Sequence, residues 1–228
     1  MRHITDAILA DELKSSSQLR ILDAGCGAGF NIAHYSSLDS HRVFGLDLSA
    51  YAIHTVRKRG IQRVCQASVT EIPYATASFD LVLSFDVICQ GEHPPVEWGL
   101  REMLRILRPG GHLFIRVPAY TWMRSSHDVE VDTNRRFTRS ELTREVTKAG
   151  LAVEWISYAN CFLFPAVVVR RLLKGIGIGE GSDVRPLTGA LGWVNPVFRR
   201  VLEFEAVFFR RGIPLPFGLS IVCLARKP

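Results

Sequence analysis

The chain is expected to fold as an open, mostly parallel α/β sheet with helices on both faces. Three observations carry this expectation. Strand-like and helix-like segments alternate along the first two thirds of the sequence. The run Phe79-Asp-Leu-Val-Leu-Ser-Phe85 is apolar enough for a central parallel strand covered on both sides. An apolar run ending in Asp23 passes through Gly25, Gly27 and Gly29 into a helix-compatible segment. At 228 residues and 47% apolar content, the chain can build one well-cored domain with an elaboration, and is too short for two.

In order, residues 3–14 form a helix candidate, and Ile21 to Ala24 the first strand. Glycine is needed where the backbone takes positive φ or approaches a ligand, and a turn entering a helix presents free N–H groups, so a ligand is expected here. A dinucleotide turn, G-x-G-x-x-G, would want a small residue at position 30; Phe30 stands there, which weakens that reading. Residues 42–47 make a second strand ending in Asp47, placed to accept from ribose hydroxyls, with a simple helix cap as the plainer alternative. Ser49 caps a helix over 49–59. Strands follow at 64–67 and 79–85, then a helix over 97–107 that Pro109-Gly110-Gly111 stops, and a strand over 112–117. Thr138 starts a helix over 139–149, ended by Gly150. Strands at 151–158 and 219–226 bring the total to seven.

Between those last two strands, residues 161–217 form a helical insertion. Its segments 162–173 and 194–209 are apolar with arginines at their ends, and neither reaches the roughly 18 apolar residues of a membrane span. The whole net charge of +6 falls after residue 159. The insertion could cap the site, form a homodimer interface, dock on an anionic membrane surface, or pack passively on the sheet. Because the charge lies in apolar helices, not in a basic run interleaved with exposed aromatics, no nucleic acid partner is expected. Cys26, Cys65, Cys89, Cys161 and Cys223 lack metal or disulfide spacing, so neither a metal site nor a disulfide framework is expected. The first residues do not have an export signal's basic and then apolar order, and a cytoplasmic location, with or without peripheral membrane contact, is the expectation.

Four segments resemble, in order, the motifs of class I S-adenosylmethionine (AdoMet) methyltransferases acting on small molecules, the methyltransferase type 11-like family. These are Asp23-x-Gly-x-Gly-x-Gly29, Gly45-Leu-Asp47-Leu-Ser49, Ile72-Pro-Tyr74 with Ser78-Phe-Asp80, and Arg105-Ile-Leu-Arg-Pro-Gly-Gly111. The resemblance spans residues 18–160. It implies a seven-stranded Rossmann-like sheet in a single domain, 1–228, with AdoMet as cofactor. Asp23 and the amides of Gly25, Cys26, Gly27 and Gly29 would lie near the methionine end, Asp47 on the ribose, Leu48 on the adenine, Ser68 and Val69 at the adenine edge, and Phe85 near the methionine. Two departures stand out: Ser68 where an acid is frequent, and Cys89-Gln90 where Glu-His is frequent.

Residues 118–137 form a loop on the ligand edge of such a sheet. They resemble a Pro-aromatic-…-His-Asp-…-Arg-Arg-aromatic-Thr loop of bacterial methyltransferases, many serving lipid, glycan or secondary-metabolism pathways. An acceptor hydroxyl must lose a proton, which suits a histidine base. His127 is the first candidate, with Asp128 as its orienter, and His93 the second. Tyr120 and Trp122 could line an acceptor pocket, and Arg135 and Arg136 could hold a phosphate or carboxylate. Each has a plainer reading: turn former, core aromatic or loop anchor. The expected function is methyl transfer to a small or lipid-like acceptor, most readily on oxygen. The alternatives are a cyclisation or rearrangement on the same fold, and a membrane-associated binding protein that keeps the cofactor without turnover.

Overall fold

The computed structural model describes residues 2–14, 18–38, 41–91, 96–175 and 194–228. Seven strands form one sheet: β1 (Arg20–Ala24), β2 (Arg42–Asp47), β3 (Val64–Gln66), β4 (Phe79–Phe85), β5 (Leu107–Pro118), β6 (Ala152–Ala159) and β7 (Ser220–Arg226). Their order is β3-β2-β1-β4-β5-β7-β6, and β7 alone runs antiparallel to its neighbours. The chain steps outward from β1 to β3 and returns to β4 on β1's other side. Strand order therefore reverses between β1 and β4, and a crevice opens above their carboxyl ends.

The helices are α1 (Arg2–Ile8), α2 (Ala10–Lys14), α3 (Phe30–Ser36), α4 (Ala50–Lys58), α5 (Val96–Ile106), α6 (Ser126–Glu130), α7 (Arg139–Lys148), α8 (Phe164–Gly175) and α9 (Val194–Arg210). On one face α5 and α7 bury Leu100, Met103, Leu142 and Val146 with Val82 and Leu113 of the sheet. On the other, Ile4, Ile32, Tyr35, Val56 and Phe209 pack with Leu83 and Phe114. Alternate residues of β4 thus enter opposite layers, which is why its sequence is apolar throughout.

Three elements differ from the sequence expectation. The first helix is broken at Leu9, although Leu9 still donates to the Thr5 carbonyl and Leu13 to that of Leu9, both at 2.9 Å. Pro109-Gly110-Gly111 does not separate helix from strand; β5 begins at Leu107 and includes it. The Gly110 amide donates to the Lys227 carbonyl and the Lys227 amide to that of Gly111, both at 2.9 Å, so the chain's last residues extend the ladder around this tight stretch. The segment 118–137 is not irregular: it holds a 3₁₀ turn at Thr121–Met123 and the short α6. Its base is closed by Phe137 donating to the Pro118 carbonyl at 3.0 Å and Tyr120 to that of Phe137 at 2.9 Å, as in a compact Ω-loop.

The predicted helices of the insertion are α8 and α9; its glycine-rich middle, 176–193, lies outside the described residues. Glu205 of α9 is fully buried and accepts the amides of Asn160 at 2.6 Å and Cys161 at 3.0 Å, fixing α9 to the end of β6. Burial pushes this carboxyl's pKa up, and the amides of Asn160, Phe162 and Cys161 pull it part of the way back.

α7 opens on the expected capping box. Thr138 Oγ1 accepts the Glu141 amide at 3.3 Å, while the Glu141 carboxylate accepts the Thr138 amide at 2.7 Å and holds its own pKa low. Replacing Thr138 by alanine is expected to lower unfolding free energy by about 1 kcal/mol at neutral pH in urea titrations, with α7 otherwise unchanged.

Candidate active site

The turn after β1 is shaped by positive φ at Gly25 (87°), Gly27 (50°) and Gly29 (76°). The three positions differ in what a side chain would meet. A Cβ at Gly25 would lie 2.2 Å from Val87 Cγ2, one at Gly29 would touch Val56 at 3.0 Å, and one at Gly27 would meet nothing within 4 Å. Gly27 therefore faces open space. The turn's amides are not free donors as expected: Gly25 and Cys26 both donate to the Leu46 carbonyl at 2.8 Å, Gly27 to Asp47 Oδ2 at 2.8 Å, and Gly29 to the Cys26 carbonyl at 2.9 Å. Strand β2 holds the turn in place through Leu46 and Asp47.

A crevice of about 500 Å³ opens at this edge, lined by seven of the expected cofactor residues: Gly25, Gly27, Asp47, Leu48, Ser68, Val69 and Phe85. Asp47 sits at its mouth with Oδ1 accepting the Ser49 amide at 2.9 Å, so it both caps α4 and borders the cavity. Leu48 is 71% exposed, an apolar platform beside that carboxylate. Ser68 is engaged locally, its Oγ 3.1 Å from the Thr70 amide and 2.7 Å from the Thr70 hydroxyl.

Asp23 lies beneath, fully buried, and neither carboxylate oxygen has a hydrogen-bond partner. Burial raises its pKa to about 7; the nearby Asn31 side chain and Arg116 oppose the rise, and Asp47 adds to it. Cys26, by contrast, faces a second cavity of about 370 Å³ that shares Phe85 with the first and is also lined by Thr5, Asn31, Tyr35 and Arg116. Burial pushes the Cys26 thiol up to about 12, so it remains protonated there.

The loop residues take other places than those expected. Asp128 is 2% exposed, and its oxygens accept from Arg136 Nη2 at 2.7 Å, Arg136 Nε at 3.0 Å and the Ser125 amide at 2.6 Å. Arg136 also donates to the Ala119 carbonyl at 2.8 Å. These two residues pair with each other and brace the loop. Arg135 pairs with Glu145 at 2.8 Å and lies over the Phe137 ring, which ties the loop to α7. His127 belongs to α6, but its side chain is outside the described part of the structure, as is His93 entirely. Tyr120, at φ 56°, stacks between Tyr158 at 5.1 Å and Trp122 at 5.7 Å, and Phe164 of α8 closes on both.

Sequence reasoning passed over Arg116 and Asp86. An arginine inside the apolar run His112 to Val117 was the available signal. Asp86 takes φ 56°, a strained value for a non-glycine residue at the end of β4. Among the described residues, the one grouping of metal-ligating types is Glu12, His112 and Glu154, near the opposite edge of the sheet.

The residues present fit AdoMet: a glycine turn open at Gly27, a carboxylate bordering the crevice at the tip of β2, an exposed apolar side chain beside it, and a buried acid at the end of β1. Comparison with known proteins agrees. The profile of a methyltransferase domain matches residues 22–115. Malonyl-[acyl-carrier protein] O-methyltransferase of Enterobacter lignolyticus is 32% identical over 204 residues, 82% of this chain and 76% of that protein. The 27-O-demethylrifamycin SV methyltransferase of Amycolatopsis mediterranei is 32% identical over 146 residues, 59% of this chain and 48% of that one. In fold, the chain is similar to geranyl diphosphate C-methyltransferase of Streptomyces coelicolor in complex with S-adenosyl-L-homocysteine (TM-score 0.64, 16% identity, 98% of this chain and 80% of that one). The chain belongs to the class I AdoMet-dependent methyltransferases of the type 11-like family. It is a methyltransferase, and AdoMet is its cofactor.

Proposed function

We propose that the acceptor is a small or lipid-like molecule methylated on oxygen, held against the aromatic wall of Tyr120, Trp122, Phe164 and Phe217. The observation that carries this reading is the wall itself. It stands on the ligand edge of the sheet, its rings 5.5 to 6.1 Å apart, and Trp122 remains 63% exposed. Apolar surface left open on this edge of the sheet suits an apolar ligand. The bound cofactor supplies an electrophilic methyl group, and the chain's task is to hold the acceptor oxygen in line with it. Two of the similar proteins are named for O-methylation, of malonyl-acyl carrier protein and of a rifamycin, which supports oxygen as the acceptor atom.

The test is incubation with AdoMet and fractionated small molecules and lipids. A product heavier by one CH₂, absent with Asp47→Ala, is expected. Products of unchanged mass would favour cyclisation or rearrangement, and bound AdoMet without any product would favour a binding protein. Once an acceptor is found, Trp122→Ala should raise its KM about tenfold and leave S-adenosylhomocysteine (AdoHcy) affinity unchanged.

The insertion suits a cap, since Phe164 of α8 touches Tyr120 and Trp122. A second role is favoured by α9, whose exposed stripe runs Arg200, Phe204, Val207, Arg211, with Phe162 against Phe204. No described helix is long and apolar enough to cross a membrane. An apolar stripe flanked by arginines suits the surface of an anionic bilayer, where a lipid-like acceptor would be found. Salt-sensitive co-sedimentation with phosphatidylserine vesicles, lost with Phe204→Glu, is expected; absence of binding would remove this role. Sedimentation of the same sample without vesicles tests the homodimer.

A further inference from the structure

Arg116 is a cation lining the second cavity, which shares Phe85 with the cofactor crevice, and its hydrogen bonding is incomplete. Nη2 donates to the Asp86 carboxylate in a short ion pair, while Nε is buried with no partner. Nε and Nη2 lie on the same edge of the guanidinium, the fork that takes both oxygens of a carboxylate in parallel. Asp86 uses half of that fork. The guanidinium is also fixed in place, its carbon 5.2 Å from the centre of the Phe85 ring, and Phe85 lines both cavities. A buried N–H without an acceptor costs free energy that a ligand oxygen would recover.

We propose that Arg116 binds the carboxylate of a ligand at the methyl-transfer site, and that Asp86 is the internal anion from which it is drawn. Two molecules could bring this group: the amino-acid end of the cofactor, or an acceptor that is itself a carboxylic acid. The acceptor case deepens the oxygen-methylation reading and rests on it. A carboxylate oxygen carries no proton at neutral pH, so it needs placing more than it needs a base, and a fixed guanidinium does that placing. The plain alternative is a structural ion pair that only pins β4 to β5.

The test compares wild type, Arg116→Met and Asp86→Asn by titration calorimetry, with melting curves as the check on folding. One arm sets AdoHcy against decarboxylated AdoHcy. The other, in saturating AdoHcy, sets decanoate against decanol. In wild type the carboxylate is expected to bind about tenfold or more tighter in at least one arm, and Arg116→Met should erase that preference. Asp86→Asn, which removes the competing negative charge, should enlarge it. A preference in the first arm assigns the group to the cofactor, and one in the second to the acceptor. No preference in wild type in either arm, or a preference that survives in Arg116→Met, overturns the proposal. If Arg116→Met does not fold, Asp86→Asn decides: a carboxylate preference unchanged or reduced there overturns it. Both arms read binding alone, so their outcome is separate from whether a methylated product is found.

Discussion

At about pH 8, ligand-free Asp23→Asn protein is expected to melt above wild type while binding AdoHcy at least tenfold more weakly. The stability effect follows from the pKa of Asp23, raised by burial from 3.8 to about 7. A raised carboxyl pKa contributes stability that is complete below the unfolded value and is lost as pH climbs through the folded one. Wild type should thus weaken from about pH 4 to 7 and level off above, the loss being of order 4 kcal/mol at roughly 1.4 kcal/mol per unit. Asparagine removes the ionisation but must still bury an amide, so the net gain at pH 8 is smaller, on the order of 1–2 kcal/mol or a few degrees in Tm. Below about pH 4 the gain should vanish. The weaker binding is expected on the reading that the buried acid faces the ligand's positive charge. Wild-type AdoHcy affinity should rise between about pH 6 and 8 as binding drives Asp23 to ionise, and the variant should lose that slope. Melting curves and calorimetry across this range check both halves.

Asp47→Ala is expected to weaken AdoHcy binding by about 100-fold or more. Hydrogen bonds to a charged acceptor contribute about 1.5–3 kcal/mol each, and a ribose diol would place two on this carboxylate. The change also strips the acceptors from the amides of Gly27 and Ser49, loosening the turn and the start of α4 together. Asp47→Asn keeps one oxygen and should recover part of the affinity. An affinity undiminished in the alanine variant would refute the ribose assignment.

The sheet was legible because each strand carried its own mark: the glycine turn after β1, acids at the tips of β1 and β2, and the two-sided apolar run of β4. Of the cofactor crevice, seven expected residues line the cavity, because motif residues sit at fixed distances from strand ends. What the sequence did not show was pairing. Asp128 and Arg136 read as site residues because loop charges next to aromatics resemble catalytic ones, and only their mutual 2.7 Å contact shows that they brace the loop. Of the free amides expected at the glycine turn, two were claimed by the Leu46 carbonyl and one by Asp47, residues about twenty positions away whose directions no local pattern encodes. Arg116 and Glu205 were missed for the converse reason. Each is a lone charge in an apolar segment, and its meaning depends on the three-dimensional neighbours that bury it.

The most direct test of the account is a crystal structure of the complex with AdoHcy. It should show the nucleoside over the turn at Gly25 to Gly29, both ribose hydroxyls on Asp47, the adenine against Leu48, and the amino-acid end directed toward Asp23. A nucleoside bound elsewhere, or a crevice that stays closed at saturating ligand, would contradict it.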